Sequence, residues 1–207
     1  MEILMYMLAG RHRELLDREK LAFTTPYLAS GIQGGLQGVQ EIGKERPIQM
    51  GHPSRLSWCF SPGKKWMEDV FTIYTPMIWE DRHWVGLAIN LDMGYVEILD
   101  PLPTLYGDNK VQKLMDPILT SLPYLVKKVA KPQQTQFRGL KPFYWERITG
   151  SYINERSGDC GPVSIKFMEL HSHGDPLPTC RGILGGTVDD LINSMPWMST
   201  KPSSTCF

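Results

Sequence analysis

The stretch Ser157-Gly158-Asp159-Cys160-Gly161-Pro162 sets a cysteine between two glycines, directly before an apolar run with helical spacing. That run predicts a helix that begins at Cys160 and ends near His171. A cysteine in the first turn of a helix lies beside unpaired backbone N–H groups and the positive end of the helix dipole, and both favour the thiolate. Pro162 fits this turn because its missing N–H is not needed there. The stretch favours a nucleophilic cysteine, although inert cysteines occupy such positions too.

A β-hairpin upstream supplies the partners that such a nucleophile needs. Residues 83–91 predict a strand buried on both faces, residues 92–94 predict a tight turn, and residues 95–100 predict a second strand. His83 begins the first strand and Asp100 ends the second, so antiparallel pairing brings them side by side at one edge of the sheet. A histidine base oriented by a carboxylate is what a cysteine nucleophile requires.

Each candidate also has a purely structural interpretation. A histidine before a strand is commonly a surface residue, and Asp100 before a proline is a common strand terminator. Asp159 is a candidate helix N-cap, and Trp84 is a candidate core residue. The combined pattern of His83 and Trp84 at one strand start, Asp100 at the paired strand's end and Cys160 at a helix start favours a catalytic site.

The rest of the chain predicts a single α+β domain over residues 1–198, followed by a polar tail at 199–207. Glycine, proline and glutamine dominate residues 30–53, which predicts a flexible loop. The other predicted elements are a helix over 2–23 broken at Gly10, ordered segments at 56–60 and 66–70, a strand at 70–74, a helix over 109–125, a strand at 143–148 and a short helix at 189–195.

Composition excludes several classes of protein. The chain has 207 residues, 42% hydrophobic and 21% charged, with a formal net charge of zero, so nothing in it indicates a nucleic-acid partner. No apolar run reaches the roughly 18 residues that span a membrane. The first residues lack a basic region and predict a helix rather than a signal peptide, which favours a nuclear or cytoplasmic protein.

The cysteines do not indicate a disulfide framework or a zinc site. Cys59, Cys160, Cys180 and Cys206 have no regular spacing and form no Cys-x-x-Cys pair. The sequence His171-Ser172-His173 followed by Cys180 matches no common zinc spacing. We predict instead that the two histidines lie at the helix end, where cationic side chains suit the dipole. No metal and no cofactor are predicted.

The order His-Trp, strand, Asp, then Gly-Asp-Cys-Gly resembles the ubiquitin-like-specific cysteine proteases, the SUMO-protease family. The resemblance covers residues 56–173 and is carried by "IYTPMIWEDRHWVGLAINLDMGYVEILDPL" and "NERSGDCGPVSIKFMELH". The form of residues 156–162 and the leading "EILMYMLAGRHRELL" resemble the large plant branch of that family, many copies of which are carried in or near transposable elements.

This resemblance implies a papain-like α+β fold with permuted chain order, a central mixed sheet and the catalytic cysteine at a helix N-terminus. It implies cleavage of peptide or isopeptide bonds after the C-terminal glycine of a ubiquitin-like modifier of the SUMO type. Cys160 would attack the scissile carbonyl, His83 would accept its proton and later protonate the leaving amine, and Asp100 would hold the imidazole tautomer.

The resemblance also implies how substrate binds. Trp84 would lie over the narrow glycine tail of the modifier, and Asp159 and Gly161 would contribute to the same binding site. The expected partners are a ubiquitin-like modifier and its conjugates, with no nucleic acid and no membrane, and the expected state is a monomer.

The sequence departs from the family at one position. The family has a glutamine a few residues before the cysteine that donates to the oxyanion, and no glutamine occurs there in this chain. Asn154 carries the same amide on a shorter stem; if Ile153 takes the position, only backbone N–H groups remain. Two alternatives stay open: a catalytically weakened relative that only binds a modifier, and an acyltransferase of related fold.

Overall fold

The structure is a computed structural model and describes residues 1–34, 64–130, 140–150, 152–156 and 158–174. Within these ranges, one five-stranded mixed sheet is covered by helices on both faces, so the fold is of the α+β class. The elements in chain order are α1 (Glu2–Arg11), α2 (Arg13–Arg18), β1 (Leu21–Phe23), α3 (Tyr27–Gly34), β2 (Thr72–Trp79), β3 (His83–Asn90), β4 (Tyr95–Leu99), α4 (Asp108–Val129), β5 (Tyr144–Arg147) and α5 (Cys160–Ser172).

The sheet has the strand order β1-β2-β3-β4-β5. The three central strands pair antiparallel, as predicted for the hairpin of β3 and β4, and each edge strand pairs in parallel with its neighbour. The apolar β3 is buried on both faces, also as predicted. Alternation along it sends Val85, Leu87 and Ile89 into the core shared with α3 and α4, and Ala88 into the core shared with α1 and α5.

The predicted helix over residues 2–23 is wrong in its extent. Gly10 stays inside α1, the break lies at His12, and the last residues form β1 instead of helix. Lys20 adopts a left-handed φ of 55°, which ends the helical path, and β1 pairs with residues 72–74. A pairing partner 51 positions away therefore overrides the local helical spacing.

The predicted loop at residues 30–53 is corrected at its start. Residues up to Gly34 belong to α3, because Leu28, Ala29 and Ile32 are buried against the core and stabilise the helix despite its glycines. The remainder of that prediction lies outside the described residues. So do the predicted segment at 56–60, the short helix at 189–195 and the tail.

Other boundaries shift by a few residues. The strand predicted at 70–74 runs from Thr72 to Trp79, since β3 pairs with it along its full length, and Trp66 and Val70 form only an isolated bridge. Helix α4 is longer than predicted and continues through two prolines, and β5 is shorter. No helix in the described ranges combines the length and the apolar character that crossing a bilayer would need.

Candidate active site

Cys160 is the first residue of α5, as the sequence predicts. Gly158 turns the chain into the helix with a φ of 88°, a left-handed conformation that glycine adopts without a steric cost. The cysteine is 4% exposed, and its Sγ donates to the carbonyl oxygen of Arg82 at 3.9 Å. The nucleophile candidate therefore lies against the residue that directly precedes His83.

His83 and Asp100 meet at the edge of the hairpin. His83 begins β3 and Asp100 follows the last residue of β4, and Nε2 of the histidine lies 2.8 Å from Oδ1 of the aspartate. Both side chains are buried. The backbone N–H of Leu102 donates to the same Oδ1 at 2.9 Å. Because the aspartate engages Nε2–H, the neutral ring keeps its lone pair on Nδ1, the nitrogen that can accept a thiol proton.

Two aromatic rings surround the imidazole of His83. The ring of Trp79 lies 5.9 Å from it and the ring of Tyr106 lies 6.2 Å from it, centroid to centroid. This apolar enclosure excludes water from one side of the histidine. It strengthens the interaction with Asp100, since electrostatic attraction grows as the local dielectric falls.

The turn that leads into β3 is held by a polar network. The hydroxyl of Tyr106 donates to Glu80 Oε2 at 2.9 Å and accepts from Arg82 Nε at 2.9 Å. The pKa of Glu80 lies below its usual value because Lys110 and then Tyr106 hydrogen-bond to its carboxylate. The network fixes the backbone of Arg82, whose carbonyl accepts from the cysteine.

Trp84 and Gly161 lie against each other across the start of α5. A Cβ added at Gly161 would stand 3.1 Å from Cε of Met1 and 3.6 Å from Cδ1 of the tryptophan, so a side chain at this position would touch both residues. Oγ of Ser164 lies 2.7 Å from the carbonyl oxygens of Trp84 and of Cys160, and joins the helix to β3. The predicted substrate-binding pair is thus adjacent to the cysteine.

Asn154, rather than Ile153, points into the protein. Asn154 is 3% exposed and Ile153 is 49% exposed. The asparagine Nδ2 donates to the carbonyl of Arg156 at 3.1 Å, and Oδ1 accepts from the N–H of the same residue at 3.1 Å. Its backbone N–H donates to Pro101 at 2.7 Å, which ties this loop to the residue after Asp100.

Asp159 occupies the N-cap position of α5, but its side chain makes no capping hydrogen bond. Its Oδ2 lies 2.8 Å from Nε of Arg156 instead. The carboxylate therefore joins the loop that precedes the cysteine to the helix.

Four residues around the site were missed in the sequence analysis. Arg82 and Ser164 act through a carbonyl contact and a hydroxyl contact that depend on how α5 packs against the sheet. Tyr106 lies in the segment that follows Asp100, and Arg147 donates to two carbonyls of that segment. Only Arg82 had a sequence signal, its position directly before the candidate base.

The histidines at the end of α5 take structural roles. His171 Nδ1 lies 2.8 Å from the hydroxyl of Tyr74, and burial raises the pKa of that tyrosine. His173 follows as the C-cap. In the part of the chain that the structure describes, no group of three or more histidine, cysteine or acidic side chains could hold a metal ion.

A buried cysteine at a helix start and a hydrogen-bonded His–Asp pair on a mixed sheet are the arrangement of a papain-like fold. A family model, the Ulp1 protease family C-terminal catalytic domain, matches residues 1–191. The chain therefore belongs to the Ulp1 protease family. No curated protein matches its sequence.

Solved structures agree on the fold. A SUMO protease Ulp1 with its catalytic cysteine oxidised to a sulfenic acid is similar with a TM-score of 0.58 at 15% identity, covering 92% of this chain and 70% of that one. The C-terminal Ulp1 protease domain in complex with Smt3, the yeast orthologue of SUMO, gives 0.53 at 15% identity, covering 86% and 67%. The Xanthomonas campestris effector XopD bound to ubiquitin gives 0.51 at 16% identity, covering 94% and 89%.

Proposed function

We propose that the chain is a cysteine peptidase that hydrolyses peptide or isopeptide bonds after the C-terminal glycine of a ubiquitin-like modifier. The observation that carries this proposal is the contact of Cys160 with the carbonyl of Arg82, directly before a histidine that is hydrogen-bonded to Asp100. The membership of the chain in the Ulp1 protease family supports it. We further propose that residues 1–198 form one catalytic domain that acts as a monomer in the nucleus or the cytoplasm.

Each residue of the candidate site has its own role in the proposed reaction. His83 takes the thiol proton on Nδ1, and the thiolate of Cys160 attacks the scissile carbonyl. The imidazolium then protonates the leaving amine, and water hydrolyses the thioester. Asp100 fixes the tautomer of the neutral imidazole and then stabilises the imidazolium, as the orienting carboxylate does in related triads. Backbone N–H groups at the start of α5, with the amide of Asn154, donate to the oxyanion.

The nearness of Trp84 to Gly161 supports a substrate with a glycine tail. We propose that the indole covers this tail and that larger residues are rejected there by steric exclusion. We propose a SUMO-type modifier. The similar structures in complex with Smt3 and bound to ubiquitin support a modifier of this general kind. The form of residues 156–162 supports the plant, transposon-associated branch of the family.

One observation favours a second candidate, a weakened relative that binds a modifier without cleaving it. The side-chain amide of Asn154 is engaged with the backbone of Arg156 through both its oxygen and its nitrogen. These two bonds hold the amide against its own loop, so it is a poorer oxyanion donor than an amide that can turn freely. Loss of one oxyanion donor costs about 100- to 1000-fold in turnover.

A panel of activity probes tests the proposal. SUMO-type modifiers and ubiquitin, each ending in a vinyl sulfone, are incubated with the protein, and adducts are detected by intact mass. We expect an adduct with at least one modifier that Cys160→Ser abolishes, while Cys180→Ser retains it as a matched control. A folded protein that binds a modifier but forms no adduct would favour the second candidate. Acylation of Cys160 by an acyl-CoA donor would favour an acyltransferase.

A further inference from the structure

Only one of the two carboxylate oxygens of Asp100 takes part in the candidate triad. The residue is completely buried, and Oδ1 accepts from His83 and from the N–H of Leu102. Oδ2 is buried as well and has no hydrogen-bond partner among the described residues. A buried ionised carboxylate is costly unless a charge or hydrogen bonds compensate it.

Arg147 faces that oxygen. It lies at the end of β5, its side chain is 10% exposed, and its Nε is 3.9 Å from Oδ2 of Asp100. Within the described ranges this Nε is also buried without a hydrogen-bond partner. A buried donor that carries positive charge and a buried acceptor that carries negative charge thus face each other. A movement of about 1 Å would bring them to hydrogen-bond distance.

The other nitrogens of this guanidinium hold the segment that follows Asp100. Nη1 donates to the carbonyl of Pro103 at 2.6 Å, and Nη2 donates to the carbonyl of Tyr106 at 2.9 Å. The pairing of Ile98 with Arg147 in the parallel β4–β5 ladder fixes where the side chain starts. Because Nη1 and Nη2 are both engaged, only Nε of the planar guanidinium can face the aspartate.

We propose that Arg147 is a positioning residue of the triad, whose guanidinium compensates the buried carboxylate of Asp100 and keeps it oriented towards His83. This inference rests on the proposed function. When the thiol proton of Cys160 passes to Nδ1 of the histidine, the new positive charge lies next to Asp100 and is stabilised only by an ionised carboxylate. Arg147 acts through Asp100 and touches neither the substrate nor the reacting sulfur.

The alternative role for Arg147 is to hold the segment of Pro103 and Tyr106 without influencing catalysis. The two roles differ in whether the effect of Arg147 depends on the charge of Asp100. A positioning role depends on the charge of Asp100, whereas a segment-holding role is independent of it. A comparison of Arg147 variants in the native and the Asp100→Asn backgrounds separates them.

The experiment compares Arg147→Met and Arg147→Lys, with Arg18→Met as a matched control because Arg18 is exposed on α2. Steady-state kinetics on a cleavable modifier fusion give kcat and KM. The rate of iodoacetamide alkylation, followed on the peptide that contains Cys160, reports the thiolate without any need for turnover. Melting temperatures are measured on the same samples.

We expect Arg147→Met to lower kcat by about 10- to 100-fold with KM changed less than about twofold, since the effect falls on proton transfer. Alkylation of Cys160 should slow several-fold, and Arg147→Lys should restore much of both rates. In the Asp100→Asn background, the same Arg147→Met change should have little further effect on either rate. Normal kcat and alkylation in a destabilised Arg147→Met protein would overturn the proposal, as would a rise in KM alone.

Two further outcomes keep the test decisive. If the wild-type protein cleaves no modifier, the proposed function fails, and the alkylation rates still decide whether Arg147 acts on Cys160 through Asp100. If Arg147→Met does not fold, the Asp100→Asn, Arg147→Met double variant decides, because it removes both buried charges together. Recovery of folding in the double variant supports the charge pairing. Equal loss of folding in both overturns it.

Discussion

Met168 on α5 packs directly onto the backbone of Gly86 in the middle of β3. A Cβ added to the glycine would stand 2.7 Å from Cγ of the methionine and 3.3 Å from the Cβ of Leu99. The missing side chain lets α5 approach the sheet closely, and this approach brings Cys160 to the strand that begins with His83. The separation of the two candidate catalytic residues thus depends on a glycine three residues after the histidine.

We therefore expect Gly86→Ala to destabilise the protein by about 1–3 kcal/mol, the usual cost of overpacking a core. Thermal unfolding followed by circular dichroism measures the change. Gly10→Ala is the matched control: this glycine lies in α1 with open space around its Cβ position. The same substitution should stabilise there by about 0.5–1 kcal/mol, since alanine favours helix. Equal effects at the two sites would contradict the packing argument.

A second prediction concerns the turn before His83. Glu80 and Asp81 both have left-handed φ values, 50° and 57°, and Arg82 N–H donates to Trp79 O across the turn at 3.1 Å. Two positive φ values at the centre of a turn are typical of type I′, which favours glycine at the second position. Asp81→Gly should raise the unfolding free energy by a few tenths to about 1 kcal/mol, as chemical denaturation would detect.

The control for this turn is the same substitution in the next one. Asp92 lies in the turn between β3 and β4, where the positive φ belongs to Gly94. Asp92→Gly should destabilise by about 0.4–1 kcal/mol, because glycine gains freedom in the unfolded chain and relieves no strain. Stabilisation by both substitutions, or by neither, would argue against strain at Asp81.

The parts of the site that could be predicted from the sequence are those that local signals specify. The apolar run of β3, the turn at residues 92–94 and the alternation of β4 are each local, so the meeting of His83 and Asp100 follows from hairpin geometry. The start of α5 at Cys160 follows from glycine and proline signals within six residues. The proposed substrate class comes from the family resemblance, because no argument from residue spacing supplies it.

Other features depend on partners distant in sequence. The three residues of β1 are strand only because residues 72–74 pair with them. The contact of Arg147 with Asp100 requires the parallel pairing of β4 and β5, and an arginine on a short half-exposed strand carries no sign of it. The inward direction of Asn154 likewise depends on its bond to Pro101. Non-local pairing of this kind leaves no periodic trace in the sequence.

A third prediction follows from the bond between His12 and Glu169, which joins the junction of α1 and α2 to α5. His12 Nε2 lies 2.7 Å from Oε1, and Lys166 Nζ lies 2.8 Å from Oε2. Burial raises the pKa of Glu169, but the bonds from Lys166 and His12 outweigh it, so the net pKa lies below 4.5. A carboxylate with a depressed folded pKa stabilises the protein above its unfolded pKa and loses that contribution as the pH falls through the folded value.

Glu169→Gln should therefore lower stability at neutral pH by about 1–2 kcal/mol, because it weakens the hydrogen bonds with Lys166 and His12. The difference from the wild-type protein should shrink as the pH falls from about 5 to about 3. Denaturation curves across this range measure it. Glu19→Gln is the control, since that side chain is half exposed and, among the described residues, pairs with its neighbour Arg18. A difference that grows towards acid pH would contradict the prediction.

A fourth prediction concerns Asn154, whose amide is the candidate oxyanion donor on a shorter stem than glutamine. If it donates to the oxyanion, Asn154→Ala should lower kcat by about 100-fold or more with little change in KM, since the interaction forms only in the transition state. Single-turnover cleavage of a modifier fusion measures this. Asn154→Gln extends the amide, and we expect it to retain or raise kcat provided that the bonds to Arg156 can reform. Ile153→Ala, at a half-exposed neighbour, is the matched control. If both alanine variants left kcat unchanged in active protein, the oxyanion would be held by backbone N–H groups, and Asn154 would serve only to fold the loop against Pro101.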